Sequence, residues 1–146
     1  MSEGKVKFNS SRFGDLEIDT SLVINFPYGL IGFTYSHRFV LLDYNPPFSW
    51  LHSVDNPELA FVAVNAAEFG TSYSFDVPYG DKDLDLVQGD DIAIINLVSV
   101  RPDPTQTTVN LKAPIIVNLK NMKAKQIVLD DQRFPTRLLL WAPKED

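Results

Sequence analysis

The sequence predicts an all-β fold of sandwich or barrel type, arranged as a single domain over residues 1–146 with one or two short helical turns. Apolar residues recur in alternation or in short runs, and Gly, Pro, Asn and Asp separate these runs, as is typical of strands joined by turns. Ten prolines are spread through the 146 residues. Because each interior proline destabilises a helix by about 3 kcal/mol, we expect no long helix. We place the helical turns in residues 65–73 or 79–86.

Turn signals mark the ends of the candidate strands. The first two strands flank the hairpin turn Phe13-Gly14-Asp15, the third ends at Pro27, and the longest stops before Pro102. Pro114 separates two further strands. β-branched and aromatic residues fill the runs, as strand packing favours. The candidate strands are residues 6–8, 16–18, 22–26, 39–42, 48–51, 59–64, 92–100, 107–111, 115–119, 126–129 and 138–141.

Composition limits the class of protein. A chain of 146 residues fits one domain with an adequate core. It contains no cysteine, which excludes disulfides, thiolate nucleophiles and cysteine-based zinc sites. The N-terminus lacks the apolar region of a signal peptide, and no uncharged apolar stretch approaches the length of a membrane span. We therefore expect a cytoplasmic protein.

The charge balance argues against direct binding of nucleic acid. The formal net charge is -6 and the sequence pI is about 4.8, so the chain repels phosphate backbones unless it has a local basic patch. Lys120, Lys123 and Lys125 come nearest to one, but we expect them to be solvated at a turn. A basic protein partner is easier to accommodate.

No arrangement typical of catalysis is found. The two histidines, His37 and His52, lack the spacing of a zinc site, and we interpret them as surface or hydrogen-bonded residues. There is no G-x-S-x-G motif. Gly29 and Gly32 lack the third glycine and lysine of phosphate loops, so we predict a turn with positive φ there. A carboxylate pair for sugar hydrolysis stays open, because its separation is a three-dimensional quantity.

The acidic segment, residues 81–91, allows two interpretations. It does not fit a calcium loop, because Leu86 and Ile92 occupy the positions that require glycine and glutamate. One interpretation is a solvated loop with Leu84 and Leu86 turned inward. The other is a negative patch that speeds docking of a basic partner and repels RNA. Its members would be Asp81, Asp83, Asp85, Asp90 and Asp91.

Several motifs in a fixed order give a more specific indication. Ile24-Asn-Phe-Pro-Tyr-Gly-Leu-Ile-Gly-Phe33 comes first, and Phe48-Ser-Trp-Leu-His-Ser53 follows with Leu59-Ala-Phe61 after it. Val109-Asn-Leu-Lys-Ala-Pro-Ile-Ile-Val-Asn118 then precedes Gln126. This order resembles the FliW family of flagellar assembly factors, whose pattern reads F-P-x-G-x-x-G-F, W-L-x-S, L-A-F and N-L-x-A-P-[IV]-x-[IV]-N followed by Q. The resemblance runs from about residue 5 to about residue 140.

The resemblance implies a small, mainly antiparallel β-barrel-like domain without catalysis or cofactor. Proteins of the FliW family bind the RNA-binding translational regulator CsrA and antagonise its repression of flagellin mRNA. They also bind flagellin, which sequesters them in a partner-switching loop. The family acts away from the RNA site of CsrA, which implies an allosteric or electrostatic mechanism. We expect a CsrA-type protein and flagellin as partners, and an acidic monomer as the default state.

The motif residues themselves have structural interpretations. We expect Pro27, Gly29 and Gly32 to shape a turn with Phe26 and Phe33 packed beneath it. Pro114 cannot donate to a ladder and predicts a sheet edge or a bulge.

The two asparagines of the third motif leave a choice open. Asn110 and Asn118 would cap backbone groups near that break. Alternatively, Asn110, Leu111 and Lys112 are exposed there and meet a partner.

A different class of function also remains possible. A β-barrel that binds a small molecule or carbohydrate would use aromatic side chains to line a cleft. The candidates for that lining are Trp50, Tyr73, Tyr79 and Trp141. Core packing accounts for their spacing equally well. A hydrolase with paired Asp or Glu residues is a third class.

Overall fold

The computed structural model describes residues 4–140. The three 3-10 helices in this range are Thr20–Leu22, Ala66–Ser72 and Pro104–Gln106. None of the helices in residues 4–140 is long and apolar enough to cross a membrane. The strands are β1 (Lys5–Ser10), β2 (Gly14–Asp19), β3 (Ile24–Asn25), β4 (Arg38–Asp43), β5 (Phe48–Ser53), β6 (Ala60–Asn65), β7 (Ile92–Ser99), β8 (Thr108–Val109), β9 (Ile115–Asn118), β10 (Lys123–Gln126) and β11 (Leu138–Leu139).

Seven strands form a closed barrel. Their order is β9, β10, β3, β4, β5, β6 and β7, and pairing between β7 and β9 completes the ring. The pairing between Asn25 of β3 and Lys123 of β10 is parallel, and the other strand pairs are antiparallel. β8 and β11 extend the sheet from the end of β7, and β1 with β2 forms a separate hairpin. The all-β, mainly antiparallel, barrel-like prediction is therefore confirmed.

The barrel interior is filled with apolar side chains. Alternation along β5 turns Leu51 inward, whereas Trp50 and His52 face outward. Burying each large apolar side chain stabilises the fold by about 1.5–3 kcal/mol. The buried interior residues are Ile24, Phe26, Leu30, Phe39, Leu51, Ala63, Ile95, Ile115, Val117 and Ala124.

Three apolar clusters lie on the outer surface of the barrel, each covered by a non-barrel segment. The β1–β2 hairpin covers Val40 of β4 with Phe8. The segment that contains Tyr73 covers Val98 of β7. The acidic segment covers Ile116 of β9. The strands of the barrel are thus apolar on both faces where a segment lies over them, which explains their short continuous apolar runs.

One of the two expected helical turns is confirmed. The 3-10 helix Ala66–Ser72 lies where the first was predicted, and the Asn65 side chain caps it by accepting from Ala67 N at 2.9 Å. Residues 79–86 form hydrogen-bonded turns and no helix. The Asp81 side chain accepts there from the backbone N–H groups of Asp83 and Leu84, at 2.8 and 3.2 Å. These contacts favour a turn over a helix.

The predicted strand at residues 126–129 is wrong, and β10 lies three residues earlier. Lys123 and Lys125 therefore belong to a strand and not to a turn, whereas Lys120 does lie in the turn after β9. Ala124 is the only apolar residue of β10, so alternation was too weak to show the strand. Ile127 and Leu129 instead join the second outer cluster.

Candidate protein-binding surface

The acidic segment is anchored to the barrel through its apolar residues. Leu84 and Leu86 are both buried, as predicted, and pack against Ile116 on the outer face of β9. Asp85 lies between them with a φ of 52°, a left-handed conformation that aspartate tolerates better than most residues. The alternation of buried leucines and polar aspartates turns the carboxylates outward.

A lysine from the barrel joins two of these carboxylates. Lys125 Nζ on β10 lies 3.0 Å from Asp81 Oδ2 and 3.0 Å from Asp83 Oδ2. The hydrogen bonds to Asp81 and then Asp83 raise the pKa of Lys125. The hydrogen bond from Lys125, followed by that from Tyr28, lowers the pKa of Asp83. The cluster thus favours the charged forms of both partners.

The remaining aspartates of the segment differ in their surroundings. Asp90 Oδ2 accepts from Val87 N at 3.0 Å and lies 3.5 Å from Lys120 Nζ. Within residues 4–140, Asp85 and Asp91 make no ion pair, and both are exposed. The segment therefore combines aspartates held in defined positions with aspartates open to solvent.

The break between β8 and β9 differs from the exposed surface that we considered. Leu111 is buried, its N–H donates to Pro135 O at 3.0 Å, and its carbonyl accepts from the Tyr73 hydroxyl at 2.6 Å. Lys112 is half-buried, and its Nζ donates to Leu129 O at 3.1 Å. The alternative in which Leu111 is exposed is therefore wrong, because the C-terminal stretch covers this side chain.

Both asparagines of the third motif cap backbone groups, as expected. Asn110 is half-buried, and its Oδ1 accepts from Ala113 N at 3.0 Å. Asn118 is fully buried; its Nδ2 donates to Leu84 O at 3.0 Å and its Oδ1 accepts from Lys120 N at 3.0 Å. Asn118 therefore ties the acidic segment to the end of β9.

Pro114 lies neither at a sheet edge nor in a bulge, which corrects that expectation. It is buried and immediately precedes β9, which pairs with β10 on one side and β7 on the other. Its carbonyl accepts from Ile127 N at 3.0 Å. The missing N–H of a proline just before a strand costs no ladder hydrogen bond, because the hydrogen-bonded ladder begins at the next residue.

The β3–β4 loop, residues 26–37, follows the glycine pattern of the first motif. Gly29 and Gly32 have φ values of 66° and 85°, as predicted for this turn. A Cβ on Gly29 would lie 2.6 Å from Phe33 O, so close approach of backbone also requires glycine there. Phe26 is buried as expected, and Pro27 is exposed. Phe33 packs edge-to-face on Phe61 with ring centroids 5.0 Å apart but stays 43% exposed, so the expectation that it packs beneath the turn holds only in part.

Both histidines are held by hydrogen bonds. His37 Nδ1 lies 2.8 Å from Phe26 O. His52 is buried, with Nδ1 2.7 Å from Ser53 O and Nε2 2.8 Å from Ser10 Oγ. The prediction of surface or hydrogen-bonded histidines is confirmed.

Two of the aromatic residues considered for a ligand cleft, Trp50 and Tyr73, pack on the outside of the barrel. Trp50 contacts Tyr44 with ring centroids 5.1 Å apart, and it packs in the outer cluster that contains Tyr73. Tyr79 is exposed. Trp141 lies outside the described residues.

Two contributors to this surface were missed from the sequence. The Tyr28 hydroxyl donates to Asp83 Oδ1 at 2.9 Å, and Gln126 Oε1 accepts from Ile31 N at 2.9 Å. These contacts place the β3–β4 loop beside the acidic segment. The glutamine that follows the third motif was a signal for the contact between Gln126 and Ile31. No local pattern indicated the contact between Tyr28 and Asp83.

Comparison with known proteins gives consistent results. A family model described as FliW protein matches residues 7–140. The flagellar assembly factor FliW of Geobacter sulfurreducens is 40% identical over 131 residues, covering 88% of this chain and 82% of that protein. The flagellar assembly factor FliW of Oceanobacillus iheyensis is 35% identical over 141 residues, covering 94% of this chain and 96% of that protein.

A solved structure agrees with the fold. The crystal structure of the flagellar assembly factor FliW superimposes with a TM-score of 0.86 at 30% sequence identity. The match covers 95% of this chain and 99% of that one.

Proposed function

The chain belongs to the FliW family of flagellar assembly factors, and from this we propose that it is a non-enzymatic regulator that works by binding other proteins. Its first partner is a CsrA-type RNA-binding translational regulator, whose repression of flagellin mRNA it antagonises. Its second partner is flagellin, which sequesters it in a partner-switching loop. It acts in the cytoplasm as a monomeric single domain.

The anchored acidic segment is the observation that supports a CsrA-type protein as the first partner. Leu84 and Leu86 fix the segment on the barrel, and Lys125 holds Asp81 and Asp83 in defined positions. A protein that binds RNA is basic where it contacts phosphate, so a fixed negative surface complements it. Negative charge brought near the RNA path also raises the cost of bringing phosphate close.

The surroundings of the histidines support a role without catalysis. Both rings contact backbone carbonyls, and His52 on β5 is buried with its Nε2 2.8 Å from Ser10 Oγ of the β1–β2 hairpin. A buried ring that is held at both nitrogens is poorly placed to exchange protons with a substrate.

The small-molecule alternative has less support. The barrel interior is filled by the apolar cluster around Phe26, Phe39 and Leu51, which leaves little room for a ligand there. The Tyr73 hydroxyl, which would be a polar contact in a cleft, already bonds to Leu111 O and Asn96 Nδ2. We therefore favour the protein-binding function.

Release of RNA from the CsrA-type protein tests the electrostatic mechanism. A labelled flagellin leader RNA is bound to that protein, and its release is followed by fluorescence anisotropy as this chain is added. The triple variant Asp81→Asn, Asp83→Asn, Asp85→Asn removes three charges and keeps the capping oxygen of Asp81. We expect it to need about tenfold more protein for half-release. Release by the wild-type chain should weaken as salt rises, because salt screens charges beyond about 10 Å at 0.1 M.

A matched control changes the same number of charges elsewhere. Glu17→Gln, Glu58→Gln, Glu68→Gln alters three exposed carboxylates outside the acidic segment, and we expect it to release RNA like the wild type. Equal release by both triple variants would refute the electrostatic mechanism. If the wild-type chain does not bind the CsrA-type protein, that partner is refuted. If the wild-type chain does not bind purified flagellin, flagellin is refuted as the second partner.

A further inference from the structure

The β3–β4 loop is fixed to the barrel at several points. Leu30 is buried in the interior cluster, and Phe26 N donates to His37 O at 2.7 Å across the base of the loop. Phe33 N donates to Leu30 O at 2.7 Å, and Ile31 N donates to the side chain of Gln126. The backbone of the loop is thus held from within and from β10. Such a loop presents its side chains in defined positions.

The side chains that this loop presents are nevertheless apolar. Tyr28, Ile31, Phe33 and Tyr35 are all exposed, and Tyr35 is 95% exposed. Four large apolar residues within eight positions form a local patch, whereas isolated exposed apolar residues are ordinary. Phe26 and Leu30 anchor the loop, and Phe33 adds an edge-to-face contact with Phe61 at 5.0 Å between ring centroids. Burial does not explain why Ile31 and Tyr35 are 57% and 95% exposed. An exposed apolar patch on a fixed loop is typical of an interaction surface.

The charge beside the patch indicates what kind of partner fits it. The Tyr28 hydroxyl bonds to Asp83, and the hydrogen bond to Asp83 followed by the charge of Asp83 raises the pKa of Tyr28. The neighbouring acidic segment carries five aspartates, against Lys82 within it and the paired Lys120 and Lys125. The patch therefore borders a net negative surface. Lys125 Nζ already lies 5.6 Å from the centroid of the Tyr28 ring, which shows that this ring accepts a cation.

We propose that Tyr28, Ile31, Phe33 and Tyr35 form a docking surface for an amphipathic segment of a basic protein. The apolar face of that segment packs on the loop, and its Lys or Arg side chains face the acidic segment. The inference rests on the proposed function in one respect: the basic protein is the CsrA-type partner. It adds that apolar contact on the β3–β4 loop, next to the electrostatic contact, supplies much of the affinity.

Binding of the purified CsrA-type protein to the full chain tests this proposal by calorimetry. The variant Ile31→Ser, Tyr35→Ser removes two exposed apolar side chains and keeps the backbone bond from residue 31 to Gln126. We expect its affinity to fall about tenfold or more. The control Leu22→Ser, Val100→Ser removes two other exposed apolar side chains, 56% and 59% exposed, from other parts of the surface. Its affinity should stay within about twofold of the wild type. Thermal melts of both variants establish that they fold.

The outcomes separate this inference from the function on which it rests. If the wild-type chain and the loop variant bind the CsrA-type protein with the same affinity, the docking surface is overturned and the proposed function stands. An equal loss in the control would also overturn it, because the effect would then not be specific to the loop. Loss of flagellin binding with intact binding of the CsrA-type protein would overturn the assignment of the occupant. Failure of the wild-type chain to bind the CsrA-type protein would overturn both proposals.

Discussion

The hydroxyl of Tyr28 donates a hydrogen bond to Asp83 Oδ1 at 2.9 Å, and this contact joins two segments that lie 55 residues apart in the chain. It places an exposed aromatic loop against an acidic segment. Lys125 contributes to the same junction from β10 by its ion pairs with Asp81 and Asp83. The surface that we propose for partner binding is thus assembled by side chains on both sides of the barrel strand β10.

Replacing Lys125 by methionine should weaken this junction. Lys125 is partly exposed, so screening by solvent keeps the effect small, and we expect Tm to fall by about 2 °C at neutral pH. Lys123→Met is the control, because Lys123 is also half-buried on β10 but makes no ion pair within residues 4–140. Thermal unfolding at low salt measures the difference. Equal melting temperatures for the two variants would show that the ion pairs contribute nothing.

The ion pair between Lys125 and Asp83 also predicts that stability depends on pH. The pKa of Asp83 is lowered in the folded state, so its contribution to stability is complete above the ordinary aspartate value of 3.8 and disappears as the pH falls through the lower folded value. The pKa of Lys125 is raised, so its contribution disappears only as the pH rises above the ordinary value of 10.5. The difference in Tm between wild type and Lys125→Met should therefore be constant from about pH 5 to pH 9 and shrink in acid. A difference that grows below pH 4 would contradict this.

Gly29→Ala should lower the free energy of unfolding more than Gly32→Ala, although both glycines have positive φ. At Gly32 a Cβ meets nothing within 4 Å, so only backbone strain of about 1 kcal/mol is expected. At Gly29 a Cβ would lie 2.6 Å from Phe33 O and 2.8 Å from Thr34 Cα, so we expect a loss of about 3 kcal/mol or more. Urea unfolding measures both values. Similar costs at the two positions would mean that the loop shifts easily, and its proposed rigidity would fail.

The sequence predicted those parts of the fold that depend on local pattern. β5, β6 and β7 were recognised because apolar runs end at proline or asparagine turns. β10 was missed because Ala124 is its only apolar residue, and a strand of lysines has no local signal. Its place in the barrel is set by pairing with β9, which is a contact between strands and not a property of four residues.

The candidate surface was predicted only in part, for a similar reason. The inward turn of Leu84 and Leu86 follows from alternation and was recognised. Of the two alternatives for the third motif, the one with Leu111 exposed was wrong, because the residues that cover Leu111 come from the C-terminal stretch, with Pro135 O as its backbone partner. The contacts of Lys125 with Asp81 and Asp83 span more than forty residues. Such contacts depend on barrel closure, which no local pattern contains.

Asn118→Ala should destabilise the protein more than Asn110→Ala. Asn118 is fully buried, and its removal leaves Leu84 O and Lys120 N without this partner. We expect a cost of about 2–3 kcal/mol, against about 1 kcal/mol for the half-buried Asn110. Chemical unfolding gives both values, and hydrogen exchange should rise at Lys120 in Asn118→Ala. Unchanged exchange there would refute the capping role.

Ser10→Ala should weaken the attachment of the β1–β2 hairpin to the barrel. Ser10 Oγ lies 2.8 Å from the buried His52 Nε2 and accepts from the backbone N–H groups of Arg12 and Phe13, at 3.1 and 3.0 Å. Removing the hydroxyl leaves those groups without this partner, for an expected loss of about 2 kcal/mol.

Ser11→Ala is the matched control for this substitution, because Ser11 is the exposed neighbour in the same turn, and it should change stability by less than about 0.5 kcal/mol. Ser10→Thr keeps the oxygen and should recover much of the loss. Urea unfolding compares the three variants, and hydrogen exchange at Arg12 and Phe13 reports on the turn itself. If Ser10→Ala and Ser11→Ala unfold at the same urea concentration, the hydroxyl does not fasten the hairpin. Its attachment then depends on other contacts, such as the packing of Phe8 and the hydrogen bond from Ser11 N to Pro57 O.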